Sequence, residues 1–415
     1  MRLIIVNQFF YPDISATSQL ITDLAEDLVK YGAQVTVVSS RRGYLGGDVW
    51  FPREENYRGV HVQRVNSTGF GKRSIIGRLT DYLSFYIMCA FRLSRIPRHD
   101  AVLVFTTPPL IAFLCRLICR MRRMKLVYSV QDLYPHVAVA TGMMQRSAPI
   151  TLLWERMARI ALTGADHVVV LGECMLRRVA QEGVSSDRMS IIPNWSDDTN
   201  LAPLPEEQNW FWQKYGLAGK FVVQYSGNMG LCHEFDTVLS AIKALVAEKD
   251  ILFLFIGHGE RRREIQGFCD REKLPNVRLL DYQAREELLY SLNACSTSLI
   301  TLRNGMEGLI LPSKFYGILA TGKPILYIGP KGCDIAGILT EFQCGFTVMP
   351  GDVEGLIQAI RRLRDHPDLC AQMGKRGREV LLTRFTRQKS TSKYHCLLMQ
   401  VTGRGRSLSQ RPNSR

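Results

Sequence analysis

Residues 306–324, MEGLILPSKFYGILATGKP, bring an acid, two chain-turning residues, a serine–lysine pair and a helix start into one short stretch. Glu307 is able to accept hydrogen bonds from sugar hydroxyls. Gly308 and Pro312 shape a loop, and Ser313 and Lys314 stand where a helix opens, so that backbone N–H groups and a full positive charge are available to an anion. A ligand with both a phosphate and a polyol, such as a nucleotide-sugar, fits that combination. A loop and helix cap without any ligand is the plain alternative. GNMG at 227–230 follows one apparent strand and precedes a helical stretch. Gly227 and Gly230, with Asn228 between them, either let amides approach an anion or satisfy a tight turn that needs positive φ. GHGERRRE at 257–264 opens on Gly257 and resembles a dinucleotide fingerprint at a glance. Its three arginines read as a solvated helix face, and no acid follows at the required distance.

Two further stretches lie in the N-terminal half. In YPDISATSQ (11–19), Ser15, Thr17 and Ser18 either cap the first helix or grip an acceptor or phosphate with the amides beside them. In VQDLYPHVAVATG (130–142), Asp132 directly follows a strand, where an acid orients substrate or caps the next turn. His136 reads as a surface residue. Metal chemistry has little support: the chain has no Asp-x-Asp, no His-x-x-x-His, no Walker A and no G-x-S-x-G pattern.

The elements that must position these residues alternate. Runs at 2–6, 34–38, 101–105, 125–130 and 167–171 read as buried strands. The stretch 16–31 carries Leu20, Ile21, Leu24, Ala25, Leu28 and Val29 at helical spacing, with Gly32 as its C-terminal stop. A second set covers 220–225, 251–256, 277–280, 297–300, 324–328 and 345–348, followed by a helix pair over 352–382 with Asp352 as N-cap. The expected fold class is α/β, two Rossmann-like doubly wound domains facing a central cleft, with ligands at the carboxyl ends of the strands. The expected boundaries are an N-terminal domain over 1–198, a linker over 199–209, a C-terminal domain over 210–385, a helix over 386–402 packing back toward the first domain, and a disordered basic tail over 403–415.

The chain has 415 residues, 46% hydrophobic and 22% charged, enough for two or three cores. Its 11 cysteines are scattered and read as reduced thiols. The N-terminus lacks a signal-peptide pattern, and no apolar run is long enough to span a bilayer. The net charge of +15 is concentrated: residues 72–125 hold eleven Lys/Arg against two acids, and 403–415 add four Arg. In 110–125, Arg116, Arg120 and Arg123 share a stripe beside Phe113, Leu114, Leu117, Ile118 and Met121. Either this is an ordinary helix with solvated arginines, or region 72–125 rests on anionic lipid as a peripheral contact. No nucleic-acid motif accompanies the charge.

At this point the residues resemble a known family. FYPDISATSQLITDLAEDLVKYGAQVTVVSS, QDLYPHVAVATG, IIPNWSD, YSGNMG, FIGHGERR, LPSKFYGILATGKPI and the DVEGL…MGKRGRE…RF ending are similar to retaining glycosyltransferases of the GT-B fold, family-4 type, most of all the bacterial exopolysaccharide and colanic-acid-type enzymes. The resemblance implies a nucleotide-diphosphate sugar as co-substrate, no other cofactor, metal-independent transfer with retention, a lipid-linked or polysaccharide acceptor, and a site at the inner face of the cytoplasmic membrane. It gives Glu307 the contact with the donor sugar, and Asp132 and Lys314, read from their own positions, complete the catalytic candidates. Substrate-binding candidates are Gly227, Asn228, Gly230, His233, Gly257, Leu309, Pro312, Ser313, Ser15, Thr17 and Asn194. The chain departs from the family pattern at several positions. Gly317 stands where a ribose-binding Glu is usual, Asn228 and His233 where an Arg and a Lys clamp the diphosphate, Ser15-Ala16 for a double glycine, and Gln131 for a His. These departures move the phosphate role toward Lys314, the Gly227–Gly230 amides and Arg303. A nucleotide-sugar epimerase or hydrolase on the same fold, or a non-catalytic partner in a polysaccharide assembly complex, are the competing expectations.

Overall fold

A computed structural model describes residues 1–13, 15–44, 50–70 and 75–404. Lys72 and Arg73 of the basic region, and residues 405–415 of the expected tail, lie outside the described residues. The chain divides into two compact units, the first comprising Met1–Pro193, Gly308–Ile310 and Gln388–Arg415, the second Asn194–Glu307 and Leu311–Arg387.

The first unit runs β1 (Arg2–Val6), α1 (Ala16–Lys30), β2 (Gln34–Ser40), β3 (Glu54–Tyr57), β4 (Val60–Val65), α2 (Ile75–Arg95), β5 (Ala101–Val104), α3 (Ile111–Arg122), β6 (Lys125–Ser129), α4 (His136–Ala140), α5 (Pro149–Gly164), β7 (His167–Val170), α6 (Glu173–Gln181) and β8 (Met189–Ile191). Its eight strands form one sheet, ordered β3-β4-β2-β1-β5-β6-β7-β8 and parallel except for the β3–β4 hairpin. The central strands are continuous apolar runs, with Leu3–Val6 and Ala101–Val104 fully buried, because helices cover both faces. The sequence reading placed no strand at β3 or β4. EENY and VHVQRV are polar and alternating, the pattern of a sheet edge, and they lack the apolar run that marks an interior strand.

Local chemistry sets several element ends. The Ser15 hydroxyl accepts from Ser18 N at 3.4 Å, so the serine caps α1, while Gly32 at φ 86° takes the left-handed stop beyond it. Helix α3 ends one residue short of Arg123, which adopts φ 52°. Its apolar residues face two ways. Ile111, Cys115, Ile118 and Cys119 are buried, whereas Leu117 and Met121 are exposed.

The second unit runs α7 (Trp210–Lys214), β9 (Phe221–Ser226), α8 (Asp236–Ala244), β10 (Ile251–Ile256), α9 (Arg262–Glu272), β11 (Val277–Leu280), α10 (Leu288–Asn293), β12 (Thr297–Thr301), α11 (Lys314–Ala320), β13 (Ile325–Ile328), α12 (Asp334–Phe342), β14 (Gly345–Val348), α13 (Val353–Asp365) and α14 (Pro367–Arg384). Its six parallel strands are ordered β11-β10-β9-β12-β13-β14. A large core surrounds Phe235, Phe253 and Phe255. Asp352 caps α13 through Gly355 N at 2.9 Å. The segment 199–209 is hydrogen-bonded into this unit. Leu204 N donates to Asn293 Oδ1 at 3.0 Å, and Asn209 Nδ2 donates to Tyr290 O at 2.8 Å. Helix α15 (Arg387–Val401) belongs from Gln388 onward to the first unit, where the Tyr394 hydroxyl meets Ser129 Oγ at 2.7 Å in a buried setting.

Candidate functional site

In the second unit, the strand order turns back at β9, with β10 on one side and β12 on the other. Open parallel sheets bind ligands at the carboxyl ends of such strands. The loop after β9 is residues 227–230, and the loop after β10 is 257–259. Gly227 N donates to Ile256 O at 2.8 Å, Met229 N to His258 O at 2.7 Å and Gly257 N to Leu280 O at 3.0 Å. Two of the GNMG amides are therefore used by the loops themselves, which leaves those of Asn228 and Gly230 without a backbone partner among the described residues. The glycines at 257 and 259 have a packing cause. A Cβ on Gly257 would run into Gly227 O, and one on Gly259 would meet the Met229 backbone; both hold φ values, 133° and 144°, that side chains disfavour.

Lys314, the first residue of α11, reaches over this loop. Its Nζ stands 3.3 Å from the centroid of the Tyr225 ring, and its Cε lies 3.3 Å from where a Cβ on Gly227 would be. The ammonium is shielded from solvent and has no hydrogen-bond partner among the described residues. Burial pushes its pKa well below the usual lysine value. The Tyr225 hydroxyl is fixed by donation to Asn228 O at 2.8 Å, which ties the ring under the cation to the same loop. A cation held by an aromatic face and lacking hydrogen-bond acceptors has its donors available to an anion.

The other second-unit candidates sort around it. His233 is buried, and its Nδ1 lies 2.6 Å from Thr301 O. A carbonyl only accepts, so Nδ1 carries the proton and Nε2 is left as an acceptor. Burial, then the Lys314 charge, depresses the pKa to about 3, so the ring is neutral. Asn228 is exposed and uncharged. Neither position supplies a cation. Arg261 is not a solvated arginine: its guanidinium donates to Asp236 at 2.7 Å, to Glu264 Oε2 at 2.8 Å and to His233 O at 3.1 Å, pinning the loop from 230 to 236. Arg262 likewise holds Gly257 O at 2.8 Å and Asp281 at 2.5 Å; only Arg263 of the three matches the solvated face expected of them. Arg303 is exposed, with its N–H on Cys232 O at 2.9 Å.

Glu307 is half-buried, Pro312 buried and Ser313 exposed. Helix α11 has seven residues, and Ser313 makes no side-chain cap bond. Gly317 sits on α11 with Leu292 Cδ1 3.5 Å from a would-be Cβ, an ordinary contact. Asn194 is buried, and its backbone hydrogen-bonds to the Tyr316 hydroxyl.

The first unit holds the remaining candidates. Ser15 is engaged as the α1 cap, with Asp13 Oδ1 accepting from Ser15 N at 2.8 Å; Thr17 is half-buried on the first turn. Asp132 follows β6, where Thr106 Oγ1 accepts from Gln131 N at 2.7 Å. Burial pushes the Asp132 carboxyl up to about 6. Leu309, grouped with this unit, accepts from Leu133 N at 2.8 Å, and Asp132 forms a backbone bridge with Ile310. Gly308, at φ 73°, has the Cys174 backbone where a side chain would be. His136 pairs with Glu182 at 3.2 Å. Among the described residues, no three His, Cys, Asp or Glu side chains form a metal-holding group.

Sequence reasoning did not single out Tyr225, Thr301 or the clamping role of Arg261. Tyr225 stands inside the quoted YSGNMG, two residues before the glycine, which is the one signal that pointed to it.

Comparison with known proteins matches residues 16–195 to the glycosyl transferase 4-like domain and residues 207–380 to glycosyl transferases group 1. A probable glycosyltransferase, WbjE of Pseudomonas aeruginosa, is 30% identical over 302 residues, covering 72% of this chain and 74% of its own length. A putative colanic acid biosynthesis glycosyl transferase of Escherichia coli K12, WcaI, is 21% identical over 406 residues, covering 93% of this chain and 98% of its own. Among solved structures, Anabaena HepE in complex with UDP-glucose superposes with a TM-score of 0.73 at 14% identity, covering 96% of this chain and 100% of that one.

Proposed function

The chain belongs to the group 1 glycosyltransferases with a 4-like N-terminal domain, on the GT-B fold, and from that footing we propose that it moves a sugar from a nucleoside-diphosphate sugar to a lipid-linked or polysaccharide acceptor in bacterial surface polysaccharide synthesis. The observation that carries the donor class is the unpartnered Lys314 ammonium above the Gly227–Gly230 loop. The names of the relatives support the polysaccharide setting, and the UDP-glucose bound to HepE supports a nucleotide-sugar donor.

In the proposed reaction the bond between the anomeric carbon and the diphosphate oxygen breaks, and the bond to the acceptor oxygen forms with the anomeric configuration retained. The electron pair leaves with the diphosphate, whose oxygens help take the acceptor proton. Lys314, with the free amides of Asn228 and Gly230, stabilises the charge that develops on the departing diphosphate. Glu307 orients the donor sugar, and Asp132 helps orient the reacting groups. No metal takes part in this scheme. The Arg261 guanidinium is neutralised by its two carboxylates and acts by holding the loop.

The test has two stages. A thermal-shift screen of nucleoside-diphosphate sugars identifies the donor, since a ligand that binds only the native state raises its melting temperature. Turnover is then followed with lipid-linked acceptors in the presence of a chelator, and the product anomer is assigned by NMR. Full activity with chelator and a retained anomer are expected. Loss of activity on chelation overturns metal independence, and consumption of donor without acceptor assigns the epimerase or hydrolase reading instead.

A further inference from the structure

Helix α2 turns a row of large apolar side chains outward: Ile76, Leu79, Leu83, Ile87 and Phe91, spaced by three or four residues and 48–78% exposed. Spacing of that kind places them on one face of a helix. Helix α3 packs between α2 and α5. It contributes Leu117 and Met121, the latter 74% exposed. Helix α5 adds Ile150, Leu152, Leu153 and Ile160, and the turn before it adds Met143, again all exposed. The junction of α3 and α5 is close, because the Arg116 guanidinium lies where a side chain on Gly164 would be. Soluble surfaces carry scattered apolar residues, not eleven on three neighbouring helices.

Cations outnumber acids around this face. Arg95, Arg120 and Arg123 are exposed at the ends of α2 and α3, and Arg146 and Arg156 are exposed beside and on α5, while Lys125, the first residue of β6, is paired with Asp166 at 2.7 Å. The Arg95 guanidinium lies 3.4 Å from the Phe91 ring centroid, so its stem covers apolar surface while its head stays at the rim. The acids of the same region are withdrawn. Asp81 is buried against the Thr68 hydroxyl at 2.7 Å, and Asp100 accepts from Arg2 N at 2.6 Å and pairs with Arg404 at 2.9 Å. Glu155 is the one acid within α5, which also carries Arg156 and Arg159.

We propose that the exposed faces of α2, α3 and α5 form one platform that rests on an anionic lipid bilayer, with the apolar side chains in the interfacial region and the rim arginines on headgroup phosphates. This takes in α5, which lies outside the basic segment 72–125 and carries little of the charge. Two features select a bilayer over a second copy of the chain. An isologous contact through this face would set its cations against each other. Apolar side chains ringed by cations match an acyl boundary under negative headgroups. Among the described residues no helix is long and apolar enough to cross a membrane, so the contact is a surface one. The platform stands independently of the donor site.

The experiment is flotation of the full chain with phosphatidylcholine vesicles, with and without phosphatidylglycerol, at low and moderate salt. Two pairs of exposed positions are tested, Leu83→Glu with Ile87→Glu on α2, and Leu152→Glu with Leu153→Glu on α5. The wild type is expected to float with the anionic vesicles, less so as salt rises. Each pair should lower binding roughly tenfold or more, since burial of even one large aliphatic side chain is worth about that much. Unchanged thermal response to the nucleotide-sugar shows that a variant is folded. An absence of vesicle binding at low salt overturns the proposal. Wild-type flotation of the α5 pair overturns the three-helix platform and confines contact to α2 and α3. A wild-type dimer that the same pairs dissociate, without vesicle binding, assigns the face to a second copy.

Discussion

Replacing Lys314 by Met separates two roles of one side chain. Methionine keeps the length and apolar stem but removes the charge. In the free protein the ammonium is shielded, lacks an acceptor and is held only by the Tyr225 face. A desolvated cation–π contact is worth about 2 kcal/mol, whereas an unpaired buried charge costs several kcal/mol after relaxation. The difference leaves the lysine a net cost, so Lys314→Met should raise the unfolding free energy of the ligand-free protein by roughly 1–3 kcal/mol. The pH dependence has a definite sign. The unfolded lysine keeps its proton to about 10.4, while the native one releases it at lower pH because burial disfavours the charge. Between those two values the unfolded state binds more protons, so wild-type stability rises with pH through that window. The advantage of the variant is then greatest below the native pKa and shrinks toward pH about 10. Donor binding moves the other way. A diphosphate would give the ammonium a charge-assisted hydrogen bond contributing roughly 1.5–3 kcal/mol, so the variant should bind UDP-sugars roughly 10- to 150-fold more weakly. Urea denaturation across pH and titration calorimetry measure the two quantities. A variant that is less stable without ligand, or that binds donor like the wild type, refutes the reasoning.

Other substitutions probe the remaining parts. Gly259→Ala puts a methyl group against the Met229 backbone at φ 144° and should cost about 1–3 kcal/mol in urea denaturation, with weaker donor binding. Asp132→Asn should lower kcat/KM and abolish its acid limb, because wild-type activity that needs the carboxylate falls as pH drops below about 6. The same raised pKa makes the buried carboxylate a stability cost that grows as pH rises from the usual carboxylate range to about 6, so the Asn variant should be at least as stable as the wild type at neutral pH. Arg261→Ala removes the ties to Asp236, Glu264 and His233 O; a loss of roughly 1.5–3 kcal/mol in stability and a raised KM for donor are expected, and an unchanged KM would deny the arginine its loop-holding role.

Much of the scaffold was legible in the chain itself. Runs such as Ile251–Ile256 and Arg2–Val6, separated by amphipathic stretches, specify parallel strands with helices between them, because a strand covered on both faces needs apolar residues at every position. The caps at Ser15, Gly32 and Asp352 were readable for the same reason: they depend on neighbours a few residues away. The clustering of positive charge in 72–125 was a matter of composition. What sequence order could not reveal was which charges lose their water. Lys314 and Arg261 look alike as cations near glycine loops, yet folding strips one of partners and gives the other two carboxylates. His233 occupies the place of a clamping cation, and burial, followed by the Lys314 charge, holds the ring neutral. Gly257 and Gly259 lie in a stretch that resembles a dinucleotide fingerprint only at a glance, and the approach of a second loop is what forbids a side chain there. The apolar residues of α5 join those of α2 only because α3 packs between them. The sequence by itself determined the interior strands and the local ends set by Ser15, Gly32 and Asp352; the tertiary structure decided the polar edge strands, desolvation, partner choice and close approach, since each depends on groups that lie far apart in the chain.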